Sequence, residues 1–351
     1  MIPILFESNA VTFTNNGLGR MSDAVSCVVN ETLNGEYYAT LKYPCDGAHA
    51  SDIRQGRILY MMANQDDGNQ PFRISKIQET MAGRMLTITA NHISYDLGGY
   101  PVQPCSGTGI SAALVAMNAN TLVTNPFTVS TDLTNTTSAF AVDAPKSYRA
   151  CLGGDEGSIL DTFGGELKFD GFDIDILQAR GTNKGAQIRY GKNLQSFVNV
   201  RSMESAYSGV VSFWKGSGST VVGNVVNSSG SSNFPTPKIY INDVTSQFQT
   251  APSVNQLDAA SSAYISANSI GQTYIDSVTV SFVPIWQTEE YKHLKNFEQI
   301  GMADSVSVIY NDYNFVVKVV QYSFDVLVER YRSMTLGQKK TTLLQSIRKY
   351  A

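Results

Sequence analysis

At 351 residues, with 42% hydrophobic side chains and only 16% charged ones, the chain can bury sizeable cores but is too long for a single ordinary one. Its 26 Lys and Arg against 30 Asp and Glu give a formal charge of −4, which argues against a protein that grips nucleic acid through a basic face. Cys27, Cys45, Cys105 and Cys151 are widely spaced and form no Cys-x-x-Cys pair, so neither a zinc site nor a dense disulfide framework is expected, and we read them as reduced, buried thiols.

The opening Met1-Ile2-Pro3-Ile4-Leu5-Phe6-Glu7 lacks a basic region followed by an apolar stretch of signal-peptide length. No run approaches the roughly 18 apolar residues of a membrane span. The expectation is synthesis in a cytoplasm, with no membrane insertion by this chain.

From Ile2 to about Leu97, short β-runs alternate with turn residues, the rhythm of a small antiparallel barrel. Strands are expected over 11–13, 26–29, 37–43, 58–63, 72–78 and 85–91. In the last of these Leu86, Ile88 and Ala90 share one face. Asp66-Asp67-Gly68-Asn69 and Ala82-Gly83 punctuate the final two hairpins. Pro101, Pro104, Gly107 and Gly109 then break the pattern, and residues 110–117 read as a short helix capped by Thr108 or Ser111. A second short helix over 158–163 ends at Gly164-Gly165 and feeds strands over 166–170 and 172–178.

A strand over 207–214 opens the next unit, followed by a Gly/Ser/Asn stretch over 216–233 that reads as a mobile loop. Residues 253–268 carry Val254, Leu257, Ala260, Ser261, Tyr264 and Ile265 at helical spacing, with Ser253 as N-cap. An alternating strand over 277–283 follows. Strands are expected again over 304–310 and, after a turn at Asn311-Asp312, as two runs within 315–330. Leu343, Leu344 and Ile347 give the basic closing segment, 338–350, a helical spacing.

Several patches resemble the phage tail-associated, or prophage endopeptidase tail, family of siphophages, which shares its fold with the baseplate hubs of contractile phages. Asn34-Gly35-Glu36-Tyr37-Tyr38-Ala39-Thr40-Leu41-Lys42-Tyr43-Pro44 is similar to a strand of that family, as are Pro71-Phe72-Arg73-Ile74 and His92-Ile93-Ser94-Tyr95-Asp96-Leu97. So are the 161–176 helix-then-strand segment, Tyr190-Gly191-Lys192-Asn193-Leu194, Asp304 to Val308, and Asp325 to Gly337. The resemblance implies a multidomain hub protomer of mixed β and α+β class, with antiparallel β-barrels at both ends and two α+β domains between. On this layout domain I covers residues 1–97, domain II 98–205, domain III 206–300 with the loop at 216–233, and domain IV 301–337, before a basic helix at 338–351.

The same resemblance implies a homotrimeric ring that closes a tail tube, contacts a distal tail protein and a tape-measure protein, adjoins a separate tip or receptor-binding protein, and lets DNA pass without holding it. Its bore should then be acidic or neutral, with Lys339, Lys340, Arg348 and Lys349 pointing away. Beyond Gly337 only the short basic tail follows, so the family's lytic activity is not carried over.

No catalytic, cofactor-binding or metal-binding residues are assigned. His49, His92 and His293 show no second histidine at metal-ligand spacing, and His92 reads as a structural histidine at a strand end. Cys151 is the best available nucleophile, and lacks a recognisable base. Asp170, Asp173 and Asp175 near Glu166 evoke a carboxylate pair or calcium site, yet Asp173 and Asp175 share one face of a strand opposite Ile174 and Ile176, the pattern of a solvated face. The glycines over 216–223 lack the Lys-Ser/Thr of a phosphate loop. An assembly protein is therefore expected; the alternative is a tail-associated peptidoglycan hydrolase or host carbohydrate-binding protein.

Overall fold

The computed structural model describes residues 1–80, 83–204, 206–248, 250–268, 270–273, 275–282, 299–310 and 313–337. The expected closing helix, the Asn311-Asp312 turn and His293 lie outside the described residues.

Among the described residues, strands from both ends of the chain lie in one sheet of 13 strands, which curls into a half-barrel. Its order runs Leu194–Ser202, Ile275–Phe282, Arg330–Gly337, Tyr313–Asp325, Ser26–Thr32, Tyr37–Pro44, Met85–His92, Gly68–Thr80, Ile58–Asn64, Ile4–Phe6 and Gly19–Arg20. Ser305–Tyr310 pairs with the first half of Tyr313–Asp325, and Gln187–Arg189 adds to it in parallel. Register shifts at Met62/Asn64, Ile74/Lys76, Val319/Gln321, Ser323/Phe324 and Leu194/Ser196 insert extra residues into the ladder, and such bulges sharpen the twist that curls a sheet.

Period-two patterning turns every second side chain toward the core. Ser26–Thr32 buries Cys27, Val29 and Glu31, and Met85–His92 buries Leu86, Ile88, Ala90 and His92. One apolar cluster runs from Leu5 through Phe140 to Leu336 and joins the middle of the chain to the sheet.

Residues 11–13 are not a strand; Ile4–Phe6 pairs with Ile58–Asn64 instead, and Phe13 stacks on Tyr60 at 4.7 Å. Its apolar character serves a ring contact rather than a ladder. The expected pair of strands within 315–330 is shifted: Tyr313–Asp325 and Arg330–Gly337 flank a turn in which Asp325 Oδ1 accepts from Leu327 N at 3.1 Å, so apolar Val326 to Val328 lie in the turn.

In the middle of the chain, Cys105–Thr108 pairs with Ala139–Val142, and helix Ile110–Ala119 packs on them. Gly109, at φ 83°, is its N-cap without a side-chain hydrogen bond, so neither Thr108 nor Ser111 caps it; a Cβ there would sit 2.9 Å from Thr136 Cα. Helix Ile159–Phe163 is capped by Ser158, which accepts from Asp161 N, and leads into Glu166–Asp170 and Asp173–Leu177, the latter also pairing in parallel with Thr128–Thr131.

Gly209–Lys215 centres a four-stranded sheet with Thr220–Val222, Val226–Asn227 and Ile239–Asp243. The stretch over 216–233 therefore is not an open loop: its β-branched Val221, Val222 and Val226 enter ladders between the glycines and serines. Helix Val254–Asn268 covers one side of this sheet, where Ser212 Oγ meets Ser261 Oγ at 2.8 Å and Trp214, Val244 and Leu257 form a second small core. Ser253 Oγ accepts from Gln256 N while Gln256 Oε1 accepts from Ser253 N at 2.9 Å, a capping box that starts the helix where expected.

Candidate functional site: a buried ion-pair cluster at the sheet seam

The seam of the half-barrel is the pairing of Tyr313–Asp325 with Ser26–Thr32, which hydrogen-bonds the last part of the chain to the first. Arg180, on the segment between the Asp173–Leu177 and Gln187–Arg189 strands, lies buried beneath it. Its Nη1 donates to Glu31 Oε1 at 2.5 Å and its Nη2 to Glu31 Oε2 at 3.3 Å and Asp67 Oδ2 at 2.7 Å. Asn64 Nδ2 donates to Asp67 Oδ2 at 2.7 Å and to the Tyr322 hydroxyl at 2.9 Å. Two carboxylates thus share one guanidinium in a buried site beside Tyr37, Tyr322 and Tyr331.

Burial opposes the Arg180 charge, but Glu31 and Asp67 together hold its pKa well above the ordinary arginine range. Burial likewise raises the Glu31 carboxyl, against the pull of Arg180, and pushes the Tyr322 hydroxyl well above the usual range for tyrosine, with Glu31 adding to it. Such a cluster fixes the geometry of three chain segments without offering a reactive group to solvent.

Around Arg180 the segment is gripped on both sides. Glu166 Oε2 accepts from Arg180 N at 2.8 Å and its Oε1 pairs with Lys318 Nζ. Asp304 Oδ1 accepts from Thr182 N at 2.8 Å, and Asp304 Oδ2 from Lys184 Nζ at 3.1 Å and Gly301 N at 2.9 Å. Gly181 crosses Ala303 so closely that a Cβ would lie 2.1 Å from its carbonyl carbon. Asn34 and Gln70 fasten the neighbouring hairpin: Leu167 N donates to Asn34 Oδ1 at 2.7 Å, and Gly171 N to Gln70 Oε1 at 2.7 Å.

The residues weighed for chemistry occupy structural roles. His92 is fully buried, stacks on Tyr37 at 4.4 Å, accepts from Ser94 N through Nδ1 at 3.2 Å and faces Gln70 Oε1 at 3.3 Å; burial lowers its pKa well below the ordinary value, so it is neutral. His49 Nδ1 meets Asp52 Oδ2 at 3.1 Å near the surface. Cys151 is buried, and burial pushes its thiol up to about 11, the opposite of an activated nucleophile. Cys27 is also buried, its sulfur 3.3 Å from Met61 Sδ, whereas Cys45 and Cys105 are only partly so.

Asp173 accepts from Thr128 Oγ1 and Asp175 from Ser130 Oγ at 2.6 Å on an outward face, while Asp170 accepts from Gln70 Nε2 at 2.9 Å. Among the described residues no group of three or more His, Cys, Asp or Glu could hold a metal ion, and no helix is long and apolar enough to cross a membrane. The Arg180 cluster carries no motif, but one signal was available: the alternation of Cys27 and Val29 places Glu31 on the buried face, where a carboxylate needs a partner.

At the level of sequence, no known family model matches the chain and no curated protein does. Its structure is similar to that of prophage tail protein gp18 from Listeria monocytogenes, at 14% identity and a TM-score of 0.65, with 99% of this chain and 98% of that one covered. Similar too are the 43 kDa tail protein of prophage MuSo2 from Shewanella oneidensis, at 12% identity and TM-score 0.62 over 96% of this chain and 98% of the other, and a tail protein from Neisseria meningitidis, at 9% identity and TM-score 0.59 over 98% of each. The chain has the fold of prophage tail proteins, as the sequence resemblance implied.

Proposed function

We propose that this chain is a structural component of a phage or prophage tail tip, a baseplate hub in which three copies close a ring at the end of the tail tube. The observation that carries the reading is the end-to-end match to prophage tail proteins, which covers 99% of this chain and 98% of the Listeria monocytogenes protein. Physical chemistry supports a ring. Among the described residues Leu194–Ser202 has Ile275–Phe282 as its one neighbouring strand, and Val198 and Val200 on it are exposed. An open sheet edge with exposed valines invites pairing with another chain, and closed symmetry removes such edges.

In this reading residues 1–97 and 301–337, with the Leu194–Ser202 and Ile275–Phe282 strands that extend their sheet, supply the ring, and the rest of 98–205 and 206–300 decorate it. The ring contacts a distal tail protein above, a tape-measure protein within and a separate tip or receptor-binding protein below, and DNA passes an acidic or neutral bore. The protein works by assembly and not by catalysis, in keeping with the buried, neutral state of His92 and the raised thiol of Cys151. Electron cryomicroscopy of tails carrying this chain tests the reading: threefold density at the tube end is expected, and sixfold or single-copy density there would overturn it. Cleavage of purified peptidoglycan by the pure chain, lost on Cys151→Ser or His92→Gln, would overturn the non-enzymatic part.

A further inference from the structure

The four-stranded unit around Gly209–Lys215 is inserted into the main sheet between two strands that pair with each other. It leaves after Leu194–Ser202 and returns into Ile275–Phe282, with Ser202 opposite Ile275 in register. Between the two crossings Gly271 N donates to Tyr207 O at 3.0 Å, so they run side by side as a stem. The core of the unit, Trp214, Val244 and Leu257, is separate from the cluster that joins the rest of the chain. A unit with its own core on a two-stranded stem can turn as one body unless a large apolar contact holds it. Among the described elements it packs on the rest of the chain where Thr245–Gln247 meets Ala139–Val142. Two carboxyls also meet across this boundary. Asp243 ends the strand Ile239–Asp243, Glu156 lies between the helices Tyr148–Leu152 and Ile159–Phe163, and their side chains are within hydrogen-bonding reach. Two carboxyls hydrogen-bond only while they hold a proton between them.

We propose that the four-stranded unit is a hinged arm latched by a proton shared between Glu156 and Asp243, docked on the middle of the chain while the proton is present and released on its stem when it leaves. The surroundings make that proton count. Asp161, from helix Ile159–Phe163, faces the pair with a third carboxyl; the Tyr264 hydroxyl faces Asp161 from helix Val254–Asn268; and Lys146, from the strand Lys146–Ser147, is the cation that bears on Glu156. Lys146 alone does not offset three carboxyls, so loss of the proton leaves repulsion across the boundary. Glu156 keeps an exposed side through which the proton exchanges with water. Partial burial and then Asp243 raise the docked Glu156 from the ordinary 4.5 to about 7, whereas an undocked Glu156 returns toward 4.5. The proton therefore binds the docked form more tightly. Docking is strongest below 4.5, weakens as pH rises through about 7 and levels off above, with the carboxyls titrating as a unit.

Single-molecule energy transfer in the whole chain tests the latch, with dyes on S51C in the main body and S219C on the arm, both exposed, and Cys45→Ser and Cys105→Ser removing the partly exposed thiols. Between about pH 4.5 and about pH 7 the labelled parent should pass from one transfer efficiency to a mixture with a second, and change no further up to about pH 8. Glu156→Gln donates an amide hydrogen to Asp243 without a titrating proton, and Asp243→Asn does the same toward Glu156. Each should hold the docked efficiency and lose most of the pH dependence. Near-ultraviolet circular dichroism at each pH checks that the chain stays folded. A single efficiency at every pH in the parent, or the same change with pH in both variants, would overturn the latch.

Discussion

Replacing Arg180 by Met keeps the stem of the side chain but removes the charge from beneath the seam. The guanidinium makes two contacts with Glu31 and one with Asp67, and both carboxylates are almost inaccessible, at 3% and 8% exposure. Taking away the shared cation leaves two buried like charges, and breaking a buried pair in this way costs about 3–5 kcal/mol. In urea unfolding followed by the near-ultraviolet circular dichroism of the surrounding tyrosines, the midpoint should fall while the slope holds. Because burial raises the Glu31 carboxyl, the folded variant takes up a proton more readily than the unfolded chain, so its deficit should shrink as pH is lowered from about 8 to about 5. Arg180→Lys keeps the charge, loses the planar fork and should fall between. Exchanging all three residues, Glu31→Leu, Asp67→Leu and Arg180→Met, should cost less than Arg180→Met alone, as no charge is then stranded. A deficit below about 1 kcal/mol for Arg180→Met at neutral pH, the range of an ordinary surface change, would refute the reasoning.

Gly181→Ala would place a methyl 2.1 Å from the Ala303 carbonyl carbon and should lower the unfolding midpoint more than Gly185→Ser, where nothing lies within 4 Å of a Cβ, although Gly185 bears its own strain at φ 75°. Glu156, raised by burial and by Asp243 from the ordinary 4.5 to about 7, binds its proton more tightly when folded, so stability should decline as pH rises from about 4.5 through 7 and level off above; Glu156→Gln should flatten that slope in thermal scans. His92 has the opposite sign: its lowered pKa means that the unfolded chain binds more protons, so stability should fall as pH drops below 6.5, and less steeply in His92→Gln. Ser253→Ala removes one arm of the capping box and should destabilise helix Val254–Asn268 by about 1 kcal/mol, seen as faster amide exchange in its first turn.

Strands whose side chains alternate between core and solvent were legible in the sequence: Tyr37–Pro44, Ile58–Asn64 and Met85–His92 lie within a residue or so of their expected bounds. The cap at Ser253 was legible as well, since it precedes an apolar helical run, whereas Ser158, read as the first residue of its helix, is the cap before Ile159–Phe163. The cap of Ile110–Ala119 was not legible, because Gly109 serves there through backbone geometry that no side chain announces, although the helix starts at Ile110 as expected. Joining of the two ends into one sheet was also hidden: residue pairs such as Phe324 and Val29 are set by register across nearly the whole chain, to which local periodicity is blind. The Arg180 cluster escaped for a related reason, its three charges being far apart in sequence and each ordinary alone. Val221, Val222 and Val226 were masked by the glycines and serines around them, which outweighed the short β-branched pairs.

The pairing of Ser26–Thr32 with Tyr313–Asp325 also sets a timetable for folding. A ribosome delivers the first of these strands long before the second, at roughly 5–20 residues per second, so the early strands can collapse while one long edge waits for a partner still to be made. During that interval Glu31 and Asp67 also lack Arg180, and the waiting surface is neither dry nor neutral. Charge there disfavours premature pairing with other nascent chains, because inward-pointing charges guard an open edge. The cluster that locks the finished protein thereby doubles as a safeguard during synthesis, and a nascent chain halted before residue 180 should stay looser at this edge than one halted beyond residue 337.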